Sequence, residues 1–294
     1  ARANLRNPPK LLAERGAAMM KGASGMLATD VVLAFTDQRG TPLMDSLTRA
    51  LAVAKPQVDA YVTWLERDLI PRATGDLVIG GDAVARRYRA EELIDLPLDT
   101  LVRIGERELK IAQAQFREAA LRLAPGKDPQ ATWGEVRRHH PKRGQVTASA
   151  QAIVDSLTTF VRAKGLVTVP TGERVKVLPA QPFDLGFASM HASPPLETTP
   201  VQSYYYITDA RADLPQDQQD AWLERFNYAS LTNTSAHEAM PGHWLHSQYM
   251  RKTPGKVRRI WIGLNPFPQP SSGQDGWAHY AEQLVVEQGY GGGN

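Results

Sequence analysis

The sequence predicts a mainly α-helical protein with a small β-sheet beside a histidine-bearing helix. From Pro9 to about Gly165, apolar residues recur at helical spacing between punctuating Gly and Pro residues. After Gly165, two short segments are rich in β-branched and aromatic residues, which is typical of strands. Helical spacing then resumes around SAHEAMPGHWLH, residues 235–246. The chain is therefore expected to combine a helical array at 1–165 with a mixed region at 166–294.

The first region is expected to be an antiparallel array of helices. The periodicity predicts helices at roughly 9–36, 43–70, 81–94, 98–123, 130–139 and 145–164. Asp99 is a plausible N-cap for the fourth of them, whose apolar residues lie mostly on one face. Pro56 lies inside an otherwise helical stretch, so we expect a kink or a break there.

The second region begins with the predicted strands. RVKVLPA (174–180) and VQSYYYITDA (201–210) have strand-like composition and are bounded by Pro and Asp. The segment between them, 183–200, is rich in Pro, Ser and Thr and is predicted to be a loop. Further helices are expected at 216–227, in the histidine-rich stretch and at 276–288. The two regions together are expected to form one continuous domain, as a piece of a longer protein.

The composition indicates a globular chain that can bury a core. It has 294 residues, of which 42% are hydrophobic, and its net charge of +3 comes from acidic and basic residues that are interspersed. No apolar run of about 18 residues occurs, so we expect a soluble chain without a membrane span. The lack of cysteine excludes disulfides, thiol catalysis and cysteine-ligated metals. It leaves the compartment open, with a secreted or periplasmic location slightly favoured over the cytoplasm.

The stretch SAHEAMPGHWLH predicts a metal site only if its helix breaks. In zincins the two ligand histidines lie at i and i+4, about 40° apart around the helix, and the Glu after the first one serves as general base. His237 and His243 are instead at i and i+6, which on an unbroken helix is about 120° and 9 Å apart. Pro241 cannot donate to the His237 carbonyl, and Gly242 tolerates unusual conformations. A bulge at this pair is expected to bring His243 back beside His237.

A purely structural explanation of the same stretch is also open. Ser235 and Glu238 have the S-x-x-E spacing of a capping box, in which Glu238 only satisfies a helix N-terminus. His246, one turn after His243, is equally consistent with a surface position.

A second candidate segment, QDGWAHYAEQL, contains two carboxylates. Asp275 and Glu282 are seven residues apart, which places them on one helix face about 10 Å apart along the axis. One of them can bind an ion directly, and the other is better placed to orient a histidine ligand or contact substrate. The alternative is a solvated acidic face.

Together, HEAMPGHWLH and DGWAHYAEQL resemble the large bacterial family named domain of unknown function 885, with its hallmarks H-E-x-x-P-G-H and [E/D]-G-W-x-x-Y-x-E. That family is grouped with the gluzincin metallopeptidases. The resemblance implies a zinc ion, His237 and His243 as ligands and Glu238 as the general base. By similarity to the N-E-G-F-A-x-Y-x-E segment of related aminopeptidases, Asp275 is the acidic ligand. Asp replaces the usual Glu there, so Glu282 remains a candidate ligand or supporting residue.

The tyrosine-rich strand offers a candidate substrate contact. Many zincins line their cleft with an edge strand that pairs with extended substrate. Tyr204, Tyr205 and Tyr206 alternate faces, and we take Tyr205 as the residue that contacts substrate. Simple packing of the three rings in a small sheet is the alternative.

Other kinds of function have little support in the sequence. The basic cluster RRHHPKR (137–143) has only Trp133 as a nearby aromatic residue, so it is interpreted as an exposed helix end rather than a nucleic-acid site. No phosphate-binding glycine loop with Lys-Ser/Thr and no G-x-S-x-G nucleophile elbow occurs.

The sequence therefore predicts a zincin-like, helical metallopeptidase with a small sheet beside its active-site helix. Glu238 is expected to activate a zinc-bound water that cleaves a peptide bond. Two alternatives remain: hydrolysis of a non-peptide amide by the same site, and an inactive helical binding or scaffold protein.

Overall fold

A computed structural model of the chain describes residues 2–172, 174–181, 186–194, 196–197, 202–256, 259 and 271–292. It is mainly helical with a three-stranded sheet, as the sequence predicts. Two compact units are present. The first holds residues up to Gly80 together with Gln181, and the second holds the described residues from Gly81 to Ala180 and from Gly186 onward. The predicted change of character at residue 165 falls within the second unit, and its role as a domain boundary stays a prediction.

The first unit is built from helices around a small core. They are α1 (Lys10–Ala28), α2 (Asp30–Ala34), α3 (Pro42–Trp64), a π-helical turn (Leu65–Leu69) and α4 (Ile70–Arg72). The predicted helix at 9–36 is interrupted at Thr29, whose φ of −129° is not helical. A kink or a break is expected at Pro56: the break is wrong, because α3 continues through the proline, which removes only one of many backbone hydrogen bonds, and the kink stays a prediction. Small and aliphatic side chains form the core: Ala13, Ala17, Leu65, Leu69 and Ala73.

The second unit contains the longer helices and the candidate site. Its helices are α5 (Gly81–Glu91), α6 (Leu98–Leu123), α7 (Pro129–Arg137), α8 (Val146–Lys164), α9 (Gln216–Arg225), α10 (Tyr228–Glu238), α11 (His243–Arg251) and α12 (Ser271–Glu287). The sequence predicts α5 to α9 with similar bounds, whereas α10 and α11 extend on either side of the predicted stretch 235–246 and α12 begins five residues before the predicted start at 276. The expected N-cap at Asp99 is wrong, since α6 starts directly after Pro97 and Asp99 lies in its first turn. There the carboxylate still faces the positive end of the helix dipole.

The sheet has a different edge from the one the sequence predicts. Its strands are β1 (Val175–Pro179), β2 (Ala188–His191) and β3 (Ser203–Ile207), in the order β1-β3-β2. The predicted strands β1 and β3 are confirmed, whereas the predicted loop at 183–200 is wrong over β2. β3 is central, parallel to β1 and antiparallel to β2, so β2 is an edge strand. The composition of β2 carries no strand signal, and its conformation follows from pairing with β3.

The central core lies between the sheet and helices α8, α10 and α11. Fully buried aliphatic and aromatic side chains fill it, among them Leu157, Val161, Ile207, Phe226, Leu231, Leu245 and Val285. Leu231 and Ala236 anchor α10 from this side, which holds the end of α10 in a fixed orientation. Among the described residues, none of the helices combines the length and apolar character needed to cross a membrane.

Candidate metal centre

The break between α10 and α11 lies at the Pro-Gly pair. Helix α10 ends at Glu238, and a new helix begins at His243 after a segment that contains a cis Met240–Pro241 peptide bond. The Gly242 backbone N–H donates to the Ala236 carbonyl over 2.9 Å. A Cβ atom at Gly242 would lie 1.7 Å from the His237 carbonyl oxygen, so only glycine fits. The i to i+6 spacing is thus accommodated by two separate helices rather than by the expected bulge in one.

The capping-box explanation of Glu238 is wrong. Ser235 and Glu238 lie in the last turn of α10, and the N-cap of this helix is Asn227, whose side chain accepts from the Ser230 N–H. Glu238 is therefore not engaged at a helix N-terminus.

His237, His243 and Asp275 face one another across the break. The two imidazole rings are perpendicular, with centroids 4.7 Å apart. Asp275 Oδ1 lies 3.7 Å from His237 Nε2 and 3.6 Å from His243 Nε2, both too long for hydrogen bonds. Ligands about 2.0–2.1 Å from a tetrahedral zinc ion are about 3.3 Å from one another. The two distances to Asp275 are close to that spacing, and the three ligand atoms lie within 4.8 Å of one another, so this donor set fits a zinc ion.

Glu282 lies on the opposite side of the His237 ring. Its Oε1 is 2.6 Å from His237 Nδ1, and its Oε2 accepts from Asn233 Nδ2 over 2.5 Å. A proton on His237 Nδ1 leaves the Nε2 lone pair directed toward Asp275. A carboxylate on the far nitrogen of a histidine is the usual arrangement behind metal-bound histidines. The structure thus separates the two acidic candidates by the nitrogen that each one faces.

The hydrogen bond between His237 and Glu282 shifts the pKa values of both groups. It raises the pKa of His237 above its ordinary value, although burial acts in the opposite direction. Burial raises the pKa of Glu282, but the hydrogen bonds with His237 and Asn233 outweigh it and lower that pKa overall. Without an ion, His237 and Glu282 therefore favour the charged pair.

For Glu238 and His243, burial has the largest effect on the pKa. Burial, with contributions from the charges of Asp275 and Glu282, raises the pKa of Glu238 to about 7. Burial, followed by the charge of His237, lowers the pKa of His243 to about 4. His243 is therefore neutral at pH 7, as a metal-binding imidazole must be. Glu238 is suited to exchange a proton near neutral pH.

A cleft of about 470 Å³ opens in front of Glu238 and His243. The edge strand β2 lines one side, and His246 and Gln274 contribute to the rest of the lining. His246 therefore lies in the cleft wall rather than at an unrelated surface, and burial lowers its pKa. The sequence does not predict β2 as a cleft element, because its four residues have no strand-like composition.

Asn233 and His279 are two residues of the site that the sequence motifs do not predict. Asn233 lies one turn before His237 on α10, and His279 lies one turn before Glu282 on α12, with its Nδ1 3.0 Å from Glu282 Oε1. The i, i+4 and i, i+3 spacings could have indicated both, since residues at these spacings share a helix face.

The tyrosines of β3 divide between the two faces of the sheet. Tyr205, the predicted substrate contact, is fully buried, and burial raises its pKa. It therefore packs in the core and does not offer its hydroxyl to a molecule in the cleft. Tyr204 and Tyr206 lie half-buried on the other face, where the Tyr206 ring contacts the His191 ring edge-on.

The basic cluster at 137–143 is partly neutralised within the protein. Arg137 forms an ion pair with Glu224 at 3.5 Å, and Arg138 lies 3.8 Å from Glu135. His140 Nδ1 lies 3.0 Å from the carbonyl oxygen of Pro141. These contacts agree with an exposed helix end.

Trp277 connects α12 to the break. Its indole Nε1–H donates to the Pro241 carbonyl over 2.9 Å, and its ring lies 6.5 Å from that of His246. This bond fixes the start of α12, which carries Asp275, against the segment that joins the two histidines.

Comparison with known proteins places the chain among bacterial proteins. The family described as "Bacterial protein of unknown function (DUF885)" matches residues 1–294. Among curated proteins, none is significantly similar. A "putative lipoprotein of unknown function" from Shewanella oneidensis is 20% identical with a TM-score of 0.64, covering 99% of this chain and 53% of that one. A "putative lipoprotein" from Colwellia psychrerythraea is 16% identical with a TM-score of 0.68, covering 96% and 50%. These likenesses show the fold, and the chain spans about half the length of either protein.

Proposed function

The chain belongs to the bacterial family of unknown function DUF885, and from the geometry of its candidate metal centre we propose that it is a zinc-dependent metallopeptidase. One observation carries the proposal. His237 Nε2, His243 Nε2 and Asp275 Oδ1 lie within 4.8 Å of one another beside the carboxylate of Glu238. Two imidazoles and one carboxylate with an open position are the ligand set of catalytic zinc sites.

In this proposal His237, His243 and Asp275 hold the ion, and Glu282 orients His237. Zinc, when bound, supplies a Lewis acid that polarises a carbonyl group and makes water more acidic. His243 is neutral at pH 7, and Glu282 keeps a proton on the far nitrogen of His237. Both histidines then present a lone pair on Nε2.

Glu238 is the proposed general base. Its carboxylate lines the cleft next to His243, and its pKa of about 7 suits proton exchange near neutral pH. It takes the proton from the attacking water and passes it to the leaving amine as the C–N bond breaks. The buried surroundings that raise its pKa also limit access of bulk water to this carboxylate.

The edge strand β2 is the proposed docking element for substrate. One side of β2 pairs with β3, and residues 188–191 of β2 line the cleft. An extended peptide can add to a strand edge through backbone hydrogen bonds that do not depend on side-chain identity. This favours a peptide over a small amide as the substrate.

A periplasmic or secreted location is part of the proposal. The two solved structures of similar fold are described as lipoproteins, which is compatible with a location outside the cytoplasm.

Metal analysis of the purified chain tests the proposal. We expect one tightly bound zinc ion, large losses in both His237→Ala and His243→Ala, and unchanged zinc content in Glu238→Gln. Glu238→Gln should at the same time lose peptide hydrolysis. A wild-type chain that takes up no zinc, or a Glu238→Gln variant that still cleaves peptides, would refute the proposal.

A further inference from the structure

A second group of metal-binding side chains lies on the far side of His237. His237, His279 and Glu282 each offer one ligand atom, and these atoms lie within 4.8 Å of one another. Glu282 Oε1 is 2.6 Å from His237 Nδ1 and 3.0 Å from His279 Nδ1. The two imidazole rings have centroids 5.0 Å apart. One carboxylate oxygen is therefore shared by two histidines.

We propose that His279 and Glu282 form a second, weaker site for a divalent transition-metal ion. One imidazole and one carboxylate suit zinc, nickel or copper better than calcium or magnesium, which prefer oxygen ligands only. His279 is 70% exposed, so its ring can turn toward an incoming ion, and water can complete the coordination. Two protein ligands hold the ion less tightly than the three of the first site.

The site opens into a groove of its own. This groove, of about 1200 Å³, runs between α6 and α12, and both His279 and Glu282 line it. Glu287 lines it five residues further along α12, whereas Glu108 and Glu118 on α6 are paired with arginines. An ion can therefore reach His279 without passing through the cleft that contains Glu238.

Occupation of the second site is expected to weaken the first. An ion at His279 is coordinated by Glu282 Oε1, which is also the acceptor for His237 Nδ1. His237 then loses the partner that orients it, and such a loss typically lowers metal affinity by about 10–100-fold. This coupling rests on the proposed function, because it assumes that His237 binds the first ion. The existence of the second site does not.

Zinc titration of four forms of the chain by equilibrium dialysis tests the inference. The wild type should bind two equivalents, one tight and one weak. His279→Ala should lose only the weak equivalent, and His243→Ala should lose only the tight one. His140→Ala is the matched control, because His140 lies in the connection between α7 and α8, and it should keep both.

The outcomes separate the inference from the proposed function. A wild type with one tight equivalent, or a His279→Ala variant that still binds two, overturns the second site and leaves the first intact. A weak equivalent that depends on His279, without a tight one that depends on His243, supports the second site and refutes the proposed function. The NMR signal of the His237 Nδ1 proton should disappear as the weak equivalent binds, and its persistence would overturn the coupling.

Discussion

The two sides of the His237 ring differ in how their polar groups are held. On the Nδ1 side, Glu282 is 16% exposed and is hydrogen-bonded to both His237 and Asn233. On the Nε2 side, Asp275 is 53% exposed and lies 3.6 to 3.7 Å from two histidine nitrogens, without a hydrogen bond to either. His237 Nδ1 has its hydrogen-bond partner without an ion, whereas the groups around Nε2 have no hydrogen bonds to one another and lie near the spacing of zinc ligands. This difference distinguishes two carboxylates that occupy the same helix.

The largest effect is expected from Gly242→Ala, which should move His237 and His243 apart. The new Cβ would lie 1.7 Å from the His237 carbonyl oxygen, so the segment must move and separate His237 from His243. We expect zinc affinity to fall by more than about 100-fold and the free energy of unfolding to fall by about 3 kcal/mol or more. Zinc titration and chemical denaturation measure the two effects.

Gly105→Ala is the control for that substitution. Gly105 lies within α6 and has no atom within 4 Å of a Cβ position, so alanine should stabilise the helix by about 0.5–1 kcal/mol. Wild-type zinc binding by Gly242→Ala would show that the close approach is not what joins the two histidines.

An intermediate effect is expected from exchanging the two carboxylates for amides. Asp275→Asn should lower zinc affinity by more than about 100-fold, because it removes a proposed ligand. Glu282→Gln should lower it by about 10–100-fold, because it only weakens the orientation of His237. Competition with a chromogenic chelator gives both affinities, and the reverse order would assign Glu282 as the ligand.

The smallest effect concerns the stability of the metal-free protein. Burial raises the pKa of Glu238 to about 7 from an ordinary value of 4.5, so the folded state binds more protons than the unfolded state between these values. Stability should therefore fall as the pH rises from 4.5 to about 7 and stay lower above it. Glu238→Gln should be more stable than the wild type at pH 8, by at most about 3 kcal/mol, and equally stable at pH 4.

Glu282→Gln provides the opposite case in the same denaturation experiment. Hydrogen bonds lower the pKa of Glu282 despite its burial, so its charge contributes stability that is present above the ordinary carboxyl pKa and is lost as the pH falls. The amide variant should therefore be less stable than the wild type at pH 8. Equal shifts for both variants would show that the two carboxylates do not have different environments.

Much of the fold could be predicted from the sequence because helical periodicity is local. The helices of the second unit follow from the spacing of their apolar residues and from flanking Gly and Pro. Strand β2 could not be predicted, because residues 188–191 carry no local signal and adopt their conformation by pairing with β3. The sequence of β3 shows that its side chains alternate between two faces of the sheet. Which face packs against the core depends on helices that are distant in sequence, so the burial of Tyr205 could not be predicted.

The candidate site shows the same division between local and distant information. A break between His237 and His243 could be predicted, since Pro241 and Gly242 both act on their own backbone. The helix spacing alone could not predict that Asp275 and Glu282 face different nitrogens of His237, because a separation of seven residues places both on one face of α12. The nitrogen that each carboxylate faces depends on how α12 packs against α10.

The bond from Trp277 to the Pro241 carbonyl has a consequence for how fast an ion can enter or leave. Asp275 comes from a different helix than the two histidines, and independent motion of that helix would open and close the site. The indole ties the start of α12 to the segment between the histidines, which restrains motion of Asp275 relative to the two proposed histidine ligands. Exchange of the ion is therefore expected to be limited by ligand dissociation rather than by opening of the fold.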